Sequence, residues 1–345
     1  LAHGDEVMRV VRAGANASDA PPILDSTRLD QARGLRDRFP LAHLRPLTLV
    51  RAEEIDAIAD PAKSTRVWLA LESLQITGSF KIRGALMAMG NLAAKKVDVV
   101  AASAGNHGAA VAFAAKLLKM KATVVVPATA AKIKCARIED GAELVTSEAH
   151  GYDEAEALAK RIAEESGAVF LSPYDDLDVV AGNGASLGFE IADALKKQPD
   201  HVIVPFGGGG LATGLACALP KSEVWGVQSE ASPAFAMSLE KNEAVEVFIP
   251  TEPTLAEALE GGISKAAFAR AKQVVAGVVV VDENSIARAI EYANGELGLV
   301  IEGGAATVVA AILNGAPPEI LGGDLVVVLT GRNIDPPQNR EIQKS

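Results

Sequence analysis

Only two cysteines, Cys135 and Cys217, occur among the 345 residues, and they lie far apart. So few exclude a disulfide framework or a cysteine metal site and fit a reducing, cytoplasmic setting. Each is most simply a small core residue. Long apolar runs are also missing. The longest, VAGVVVV and DLVVVL, are strand-sized, well short of the ~20 residues of a membrane span. The first residues, LAHGDEVMRV, carry acids and no apolar core, so they do not read as a signal peptide. Basic residues are in deficit, and the formal net charge is -11. A nucleic-acid partner would favour the opposite balance. His107 has no partner histidine or cysteine at ligand spacing, so no metal centre is expected. There is no internal repeat.

What is present is a globular composition, 49% apolar, long enough for two lobes with their own cores. Nine short, Val-rich runs alternate with helical segments: RVWLALE, VDVVAAS, ATVVVP, ELVTS, AVFLS, HVIVP, EVWGVQ, GVVVVD and DLVVVLT. Runs apolar on both faces suit parallel strands covered by helices, hence an α/β fold. YDEAEALAKRIAEESG reads as a helix ending at Gly167. The first forty residues read as irregular, with DAPPIL as a turn-rich piece and STRLDQARGLRDRF as a surface helix.

Ligands of open α/β sheets sit beyond the carboxyl ends of the strands. Four polar or glycine-rich loops hold that place. GGGGL (residues 207–211) precedes an apolar helix. Its backbone N–H groups and the helix start form a phosphate cradle, and no Lys-Ser/Thr follows to make a P-loop. SAGNHG (residues 103–108) either holds a carboxylate or caps its helix through Ser103 or Asn106. LESLQITGSFK carries Lys81 in the first turn of FKIRGALMAMGNLA, with Ser79 as the expected N-cap. The helix start and Arg83 would disfavour the lysine's charge. A surface lysine is the competing reading. TGRN (residues 330–333) is the fourth loop.

The pieces TGSFKIRGA, SAGNHG, VPFGGGGL and LTGRNID resemble, in type and order, the fold-type II pyridoxal-phosphate enzymes. The chain is most similar to their serine/threonine dehydratase (threonine ammonia-lyase) group, with PYDD, GVQSE and EGGAA matching too, over roughly residues 41–335. The resemblance implies a tryptophan-synthase-β-like architecture of two lobes with twisted, mostly parallel sheets flanked by helices. A small mobile domain would span 96–176, and the large cofactor-binding domain 1–95 plus 177–345. It implies pyridoxal 5′-phosphate as cofactor, a homodimer, and a small amino-acid substrate.

Carried over residue by residue, Lys81 would hold the cofactor as a Schiff base and act as base at the substrate α-carbon. Phe80 would pack on the cofactor ring and Asn106 would bond its phenolic oxygen. Gly207, Gly208, Gly209, Gly210 and Leu211 would cradle the phosphate. Thr330 would face the ring nitrogen. Ser103, Ala104, Asn106 and His107 would receive the substrate carboxylate. Glu302 either lines the far side of the ring or is merely an acid at a helix N-terminus. The implied reaction turns a small 3-hydroxy amino acid into a 2-oxo acid and ammonia.

Departures qualify this. Related serine racemases carry a serine where this chain has Ala104, so racemisation is a minor reading beside β-replacement. Gln228 and Ala234 stand where some relatives bind a divalent ion, with Glu230 shifted, so no Mg²⁺ site of that kind is expected. Arg332 replaces a glycine and points either to solvent or to the pocket. In the pocket it would admit a larger or more acidic substrate such as 3-hydroxyaspartate. With only a short stretch after TGRN, the regulatory domain of biosynthetic threonine dehydratases, and allosteric isoleucine inhibition with it, is not expected. A non-catalytic anion- or nucleotide-binding protein is the alternative of another class.

Overall fold

The computed structural model describes residues 8–14, 23–62, 64–148 and 151–334. Part of DAPPIL, and Asp335 at the end of the family-like region, lie outside the described residues. Eleven strands occur among the described residues. They are β1 (Met8–Arg12), β2 (Leu49–Arg51), β3 (Thr65–Ala70), β4 (Val99–Ala102), β5 (Ala122–Val126), β6 (Glu143–Thr146), β7 (Val169–Phe170), β8 (His201–Pro205), β9 (Glu223–Ser229), β10 (Gly277–Val281) and β11 (Gly323–Val328).

They form a seven-stranded sheet, ordered β1-β10-β9-β8-β11-β3-β2, and a four-stranded sheet, ordered β6-β5-β4-β7. Pairing is parallel throughout except at β1 and β2, which close the two edges of the larger sheet antiparallel. Residues in β4, β5 and β10 are all buried, as parallel strands between helices require. The nine runs read from sequence are all strands. Of the two unread strands, β1 lies within the first forty residues and corrects the view of that region as irregular. The expected surface helix is two short ones, Ser26–Arg33 and Leu35–Arg38, joined at Gly34. The helix Tyr152–Ser166 ends at Gly167, whose φ of 72° is left-handed, as expected of a C-terminal glycine.

The strand order decides where ligands can bind. In the smaller sheet the chain runs from β4 to β5 and β6 on one side, then returns to β7 on the other. In the larger sheet it runs from β8 through β9 to β10, then crosses back to β11. Each reversal is a topological switch point, where crossover helices diverge and leave a crevice at the carboxyl ends. SAGNHG follows β4 and PYDD follows β7. GGGGL follows β8 and TGRN follows β11. Both switch points are therefore lined by the motifs singled out above. Both cysteines are free, half-buried and packed against the core of the smaller sheet. No helix among the described residues is long and apolar enough to cross a membrane.

Candidate active site

The helix Lys81–Ala93 carries the lysine, and all of residues 82–90 are buried. Its start differs from the expectation. Phe80, not Ser79, is the cap, and it makes no side-chain capping bond. Ser79 is drawn into an antiparallel bridge with Gly331, its hydroxyl buried without a protein partner. The next N–H, that of Phe80, donates to the Thr330 carbonyl at 3.0 Å. Backbone pairing with TGRN thus overrides the side-chain cap. A distant residue serves instead: Asn183 Oδ1 accepts the Gly84 N–H at 2.8 Å. Asn183 sits in a single π-helical turn, Ala181–Ala185, a kind of bulge that recurs at functional sites.

Lys81 Nζ donates to the Pro173 carbonyl at 3.4 Å and lies 5.1 Å from the Phe80 ring centre. Burial pushes its pKa down to about 8, against the opposing pull of Glu302. Arg83 is not the cause. Its guanidinium is fully buried between the carboxylates of Glu72 and Glu190. Amine labelling of the cofactor-free protein by an acylating reagent is therefore expected to show Lys81 reacting with a midpoint near pH 8. At pH 7 about a tenth of such an amine is neutral, against roughly one part in three thousand for an ordinary lysine. A midpoint above pH 10 would refute the buried setting.

The loop after β4 leads into the helix Asn106–Leu118, whose cap is Gly105. Neither Ser103 nor Asn106 caps it, which corrects that alternative. Ser103 Oγ accepts the Gly105 N–H at 3.1 Å. Asn106 Nδ2 donates to Glu302 Oε1 at 2.6 Å, and Asn106 Oδ1 accepts from Asn333 Nδ2 at 2.6 Å. His107 is buried, with Nε2 3.0 Å from the Leu171 carbonyl and Nδ1 unpartnered. Burial, with the Lys81 charge nearby, pushes its pKa down to about 3, so the ring is neutral at pH 7. Glu302 is the N-cap residue of the helix Gly303–Leu313, but its side chain makes no capping bond. Its carboxylate turns to Asn106 and to the Asn333 N–H, and burial raises its pKa.

The glycine loop closes the opposite side. Gly209 has a φ of 80°, and the helix Gly210–Ala218 starts directly after it. A Cβ on Gly208 would sit 2.3 Å from Tyr174 Cγ, and one on Gly209 2.7 Å from Phe206 Cζ. Only glycine fits either place. Leu211 and Thr330 are buried. Pro173 meets the Lys81 amine and Tyr174 meets Gly208, so two consecutive residues join the amine to the loop. A half-buried amine, a glycine loop at a helix start and a buried hydroxyl just beyond the end of β11 fit the parts of pyridoxal phosphate: carbonyl, phosphate and ring nitrogen.

A profile of the family described as pyridoxal-phosphate dependent enzymes matches residues 41–331. The chain belongs to that family. Its cofactor is pyridoxal phosphate, and its fold is the fold-type II architecture anticipated from the motifs. The L-threonine ammonia-lyase of Thermotoga maritima is 39% identical over 279 residues, covering 78% of this chain and 67% of that protein. The processed form of threonine deaminase isoform 2 from Solanum lycopersicum superposes with a TM-score of 0.82 at 27% identity, covering 97% of this chain and 93% of that one. Maize serine racemase superposes with a TM-score of 0.81 at 25% identity, covering 92% and 96%.

Three residues of this pyridoxal-phosphate enzyme escaped sequence reasoning. Pro173 and Tyr174 lie in the PYDD piece, which signalled likeness but no role. Asn183 has no local signal at all. Gln228 Oε1 accepts the N–H groups of Phe235 and Ala236, so it starts the helix Ala234–Lys241. Arg332 is exposed. With Arg137, Thr77, Gly78, Phe113 and Asn333 it also lines a cavity of about 420 Å³.

Proposed function

We propose that this enzyme is a dehydratase (ammonia-lyase) that converts a small 3-hydroxy amino acid of the threonine or serine type to a 2-oxo acid and ammonia. The observation that carries the reading is the half-buried Lys81 amine, its pKa pushed down to about 8, joined through Pro173 and Tyr174 to the glycine loop. The likeness to an L-threonine ammonia-lyase supports it.

Bound pyridoxal phosphate supplies a carbonyl that takes up the substrate nitrogen and a ring that draws electrons from the α-carbon. Lys81 would hold that carbonyl and would serve as the base that takes the α-proton. A pKa of about 8 leaves it able to take a proton near neutral pH. The N–H groups of residues 103–107 orient the substrate carboxylate, and residues 207–211 hold the phosphate. Phe80 would pack on the ring and Asn106 would bond its phenolic oxygen. Thr330 would offer the ring nitrogen a neutral hydroxyl. A neutral donor sustains less negative charge in the ring than a carboxylate partner would. Early departure of the β-hydroxyl is therefore favoured over transamination. The β-hydroxyl and the α-proton leave as water. Water then returns to carbon as ammonia departs, so the 2-oxo acid and ammonia together hold the atoms of the substrate and no water is consumed overall.

Residues 96–176 form, in this proposal, a small mobile domain that closes over the site and excludes water. The ion pair between Lys134 and Glu257 at 3.1 Å and the bond from Arg137 to Asn333 at 3.1 Å span that boundary. A cytoplasmic homodimer belongs to the same proposal. A second reading, an acidic substrate such as 3-hydroxyaspartate, rests on Arg332 and Arg137 lining one cavity, which Asp140 also lines and Lys81 does not.

The test is a panel of 3-hydroxy amino acids, threo and erythro and both enantiomers, assayed for 2-oxo acid and ammonia with the holoenzyme. L-Threonine or L-serine is expected to yield both products without an added nucleophile. Enantiomer formation without 2-oxo acid, or product only with a thiol present, would replace the proposal with racemisation or β-replacement.

A further inference from the structure

The run 171–175 touches three separate parts of the site. Its Leu171 carbonyl lies 3.0 Å from His107 Nε2, and its Pro173 carbonyl accepts from Lys81 Nζ at 3.4 Å. The Tyr174 ring lies flat against Gly208, whose Cβ would come within 2.3, 2.5 and 2.8 Å of ring atoms Cγ, Cδ1 and Cδ2. A Cβ on Gly210 would meet Tyr174 Cα at 3.1 Å. The ring is thus a plate against the glycine run.

The plate is itself held. Ser172 Oγ accepts the Asp175 N–H at 3.0 Å. The Asp175 carboxylate accepts from Ser264 Oγ at 2.8 Å and from Arg270 Nη2 at 2.6 Å. Ser264 Oγ in turn accepts the Ala267 N–H at 3.0 Å, capping the helix Lys265–Val274. Tyr174 is therefore tied by its neighbour to a helix of the larger unit, beside the loop it covers.

Four consecutive glycines have more backbone freedom than any other tetrapeptide, and fixing them before a ligand arrives is unfavourable. A rigid aromatic surface against Gly208 and Gly210 removes conformations in which their N–H groups turn away. We propose that Tyr174 is a positioning residue for the phosphate loop: its ring, anchored through Asp175, pre-organises residues 207–211 for the cofactor's phosphate. This rests on the reading that those residues take the phosphate.

The test separates phosphate from the rest of the cofactor. Cofactor-free full-length protein is titrated with pyridoxal phosphate and with pyridoxal, which lacks the phosphate, and the absorbance of the Lys81 adduct gives both affinities. The wild-type protein is expected to prefer pyridoxal phosphate strongly. Tyr174→Ala should lower that preference by about tenfold or more, the equivalent of one charge-assisted hydrogen bond, with pyridoxal affinity held within about twofold. Tyr174→Phe should keep it, because the ring and not the hydroxyl makes the contact. Should Tyr174→Ala not fold, Arg270→Met, which frees the Asp175 anchor, should lower the preference in the same direction. An unchanged preference, or equal weakening for both ligands, would overturn the inference. A wild-type protein indifferent to the phosphate would instead overturn the phosphate reading of residues 207–211.

Discussion

Lys81→Ala is expected to be colourless after purification with pyridoxal phosphate, inert to borohydride labelling, and at least about 10⁴-fold slower in kcat/KM with any substrate of the wild-type enzyme. Two losses combine in that number. The α-carbon loses its base, and proton transfer by a positioned group contributes about 10²–10⁴-fold alone. The cofactor also loses its covalent tether, which adds to the first loss. The protein should nonetheless remain folded. The Lys81 amine is half-buried and makes one long bond of 3.4 Å to a carbonyl, so truncation removes an ill-solvated group and breaks no ion pair, while Glu302, which loses a nearby charge, keeps its bonds to Asn106 and Asn333. Unfolding midpoints of the cofactor-free proteins should therefore agree closely while activity collapses. Lys81→Arg is no remedy, because a guanidinium stays charged and cannot form the carbonyl adduct. A variant that keeps its yellow colour would sink the assignment of Lys81.

Why the sequence disclosed some of this and not the rest follows from the range of the interactions. Nine strands announced themselves because parallel strands buried on both faces need continuous Val-rich runs. β1 and β2 did not, because they are short edge strands, half exposed, whose existence depends on pairing with β10 and β3. The four loops were legible because glycine and small polar residues directly after an apolar run have a steric reason to be there. The Ser79 cap was misread because a local rule met a non-local one: the backbone of TGRN, some 250 positions away, takes residues 79 and 80 into its own pairing. Asn183, Tyr174 and Glu190 were invisible for the same reason. Asn183 reaches Gly84 across 99 positions, and Glu190 reaches Arg83 across 107. The depressed pKa of Lys81 was anticipated with the wrong cause. A neighbouring positive charge was invoked where burial acts, because nothing near Arg83 in sequence announces the carboxylates that occupy it.

Those carboxylates set the second large effect. Arg83 is completely buried, its Nε and Nη2 forking onto both oxygens of Glu72 at 2.7 and 2.8 Å, while Nη1 reaches Glu190 at 2.7 Å and Ser186 at 3.2 Å. Burial works against the charge of the guanidinium, yet the two carboxylates outweigh it and its pKa rises. Glu72 is also fully buried, whereas Glu190 keeps some exposure. Arg83→Met would leave Glu72 as a buried charge with no cation. Removing one partner of such a pair costs about 3–5 kcal/mol, a large share of the ~5–15 kcal/mol that stabilises a typical domain. Arg83→Lys should recover little, since an ammonium cannot fork onto both oxygens. Replacing Glu72 by Gln together with Arg83→Met should recover a good part, because it removes the stranded charge. Urea unfolding of the cofactor-free proteins measures all three. The site should feel the change as well. Arg83 fixes the helix two residues beyond Lys81, through the same stretch of chain that carries the Asn183 bond to Gly84. In the folded fraction of Arg83→Met the lysine is less confined and better solvated, and its titration midpoint should climb from about 8 towards the ordinary lysine value. A variant within about 1 kcal/mol of wild type, with the midpoint unmoved, would mean that this buried network neither holds the fold nor sets the amine.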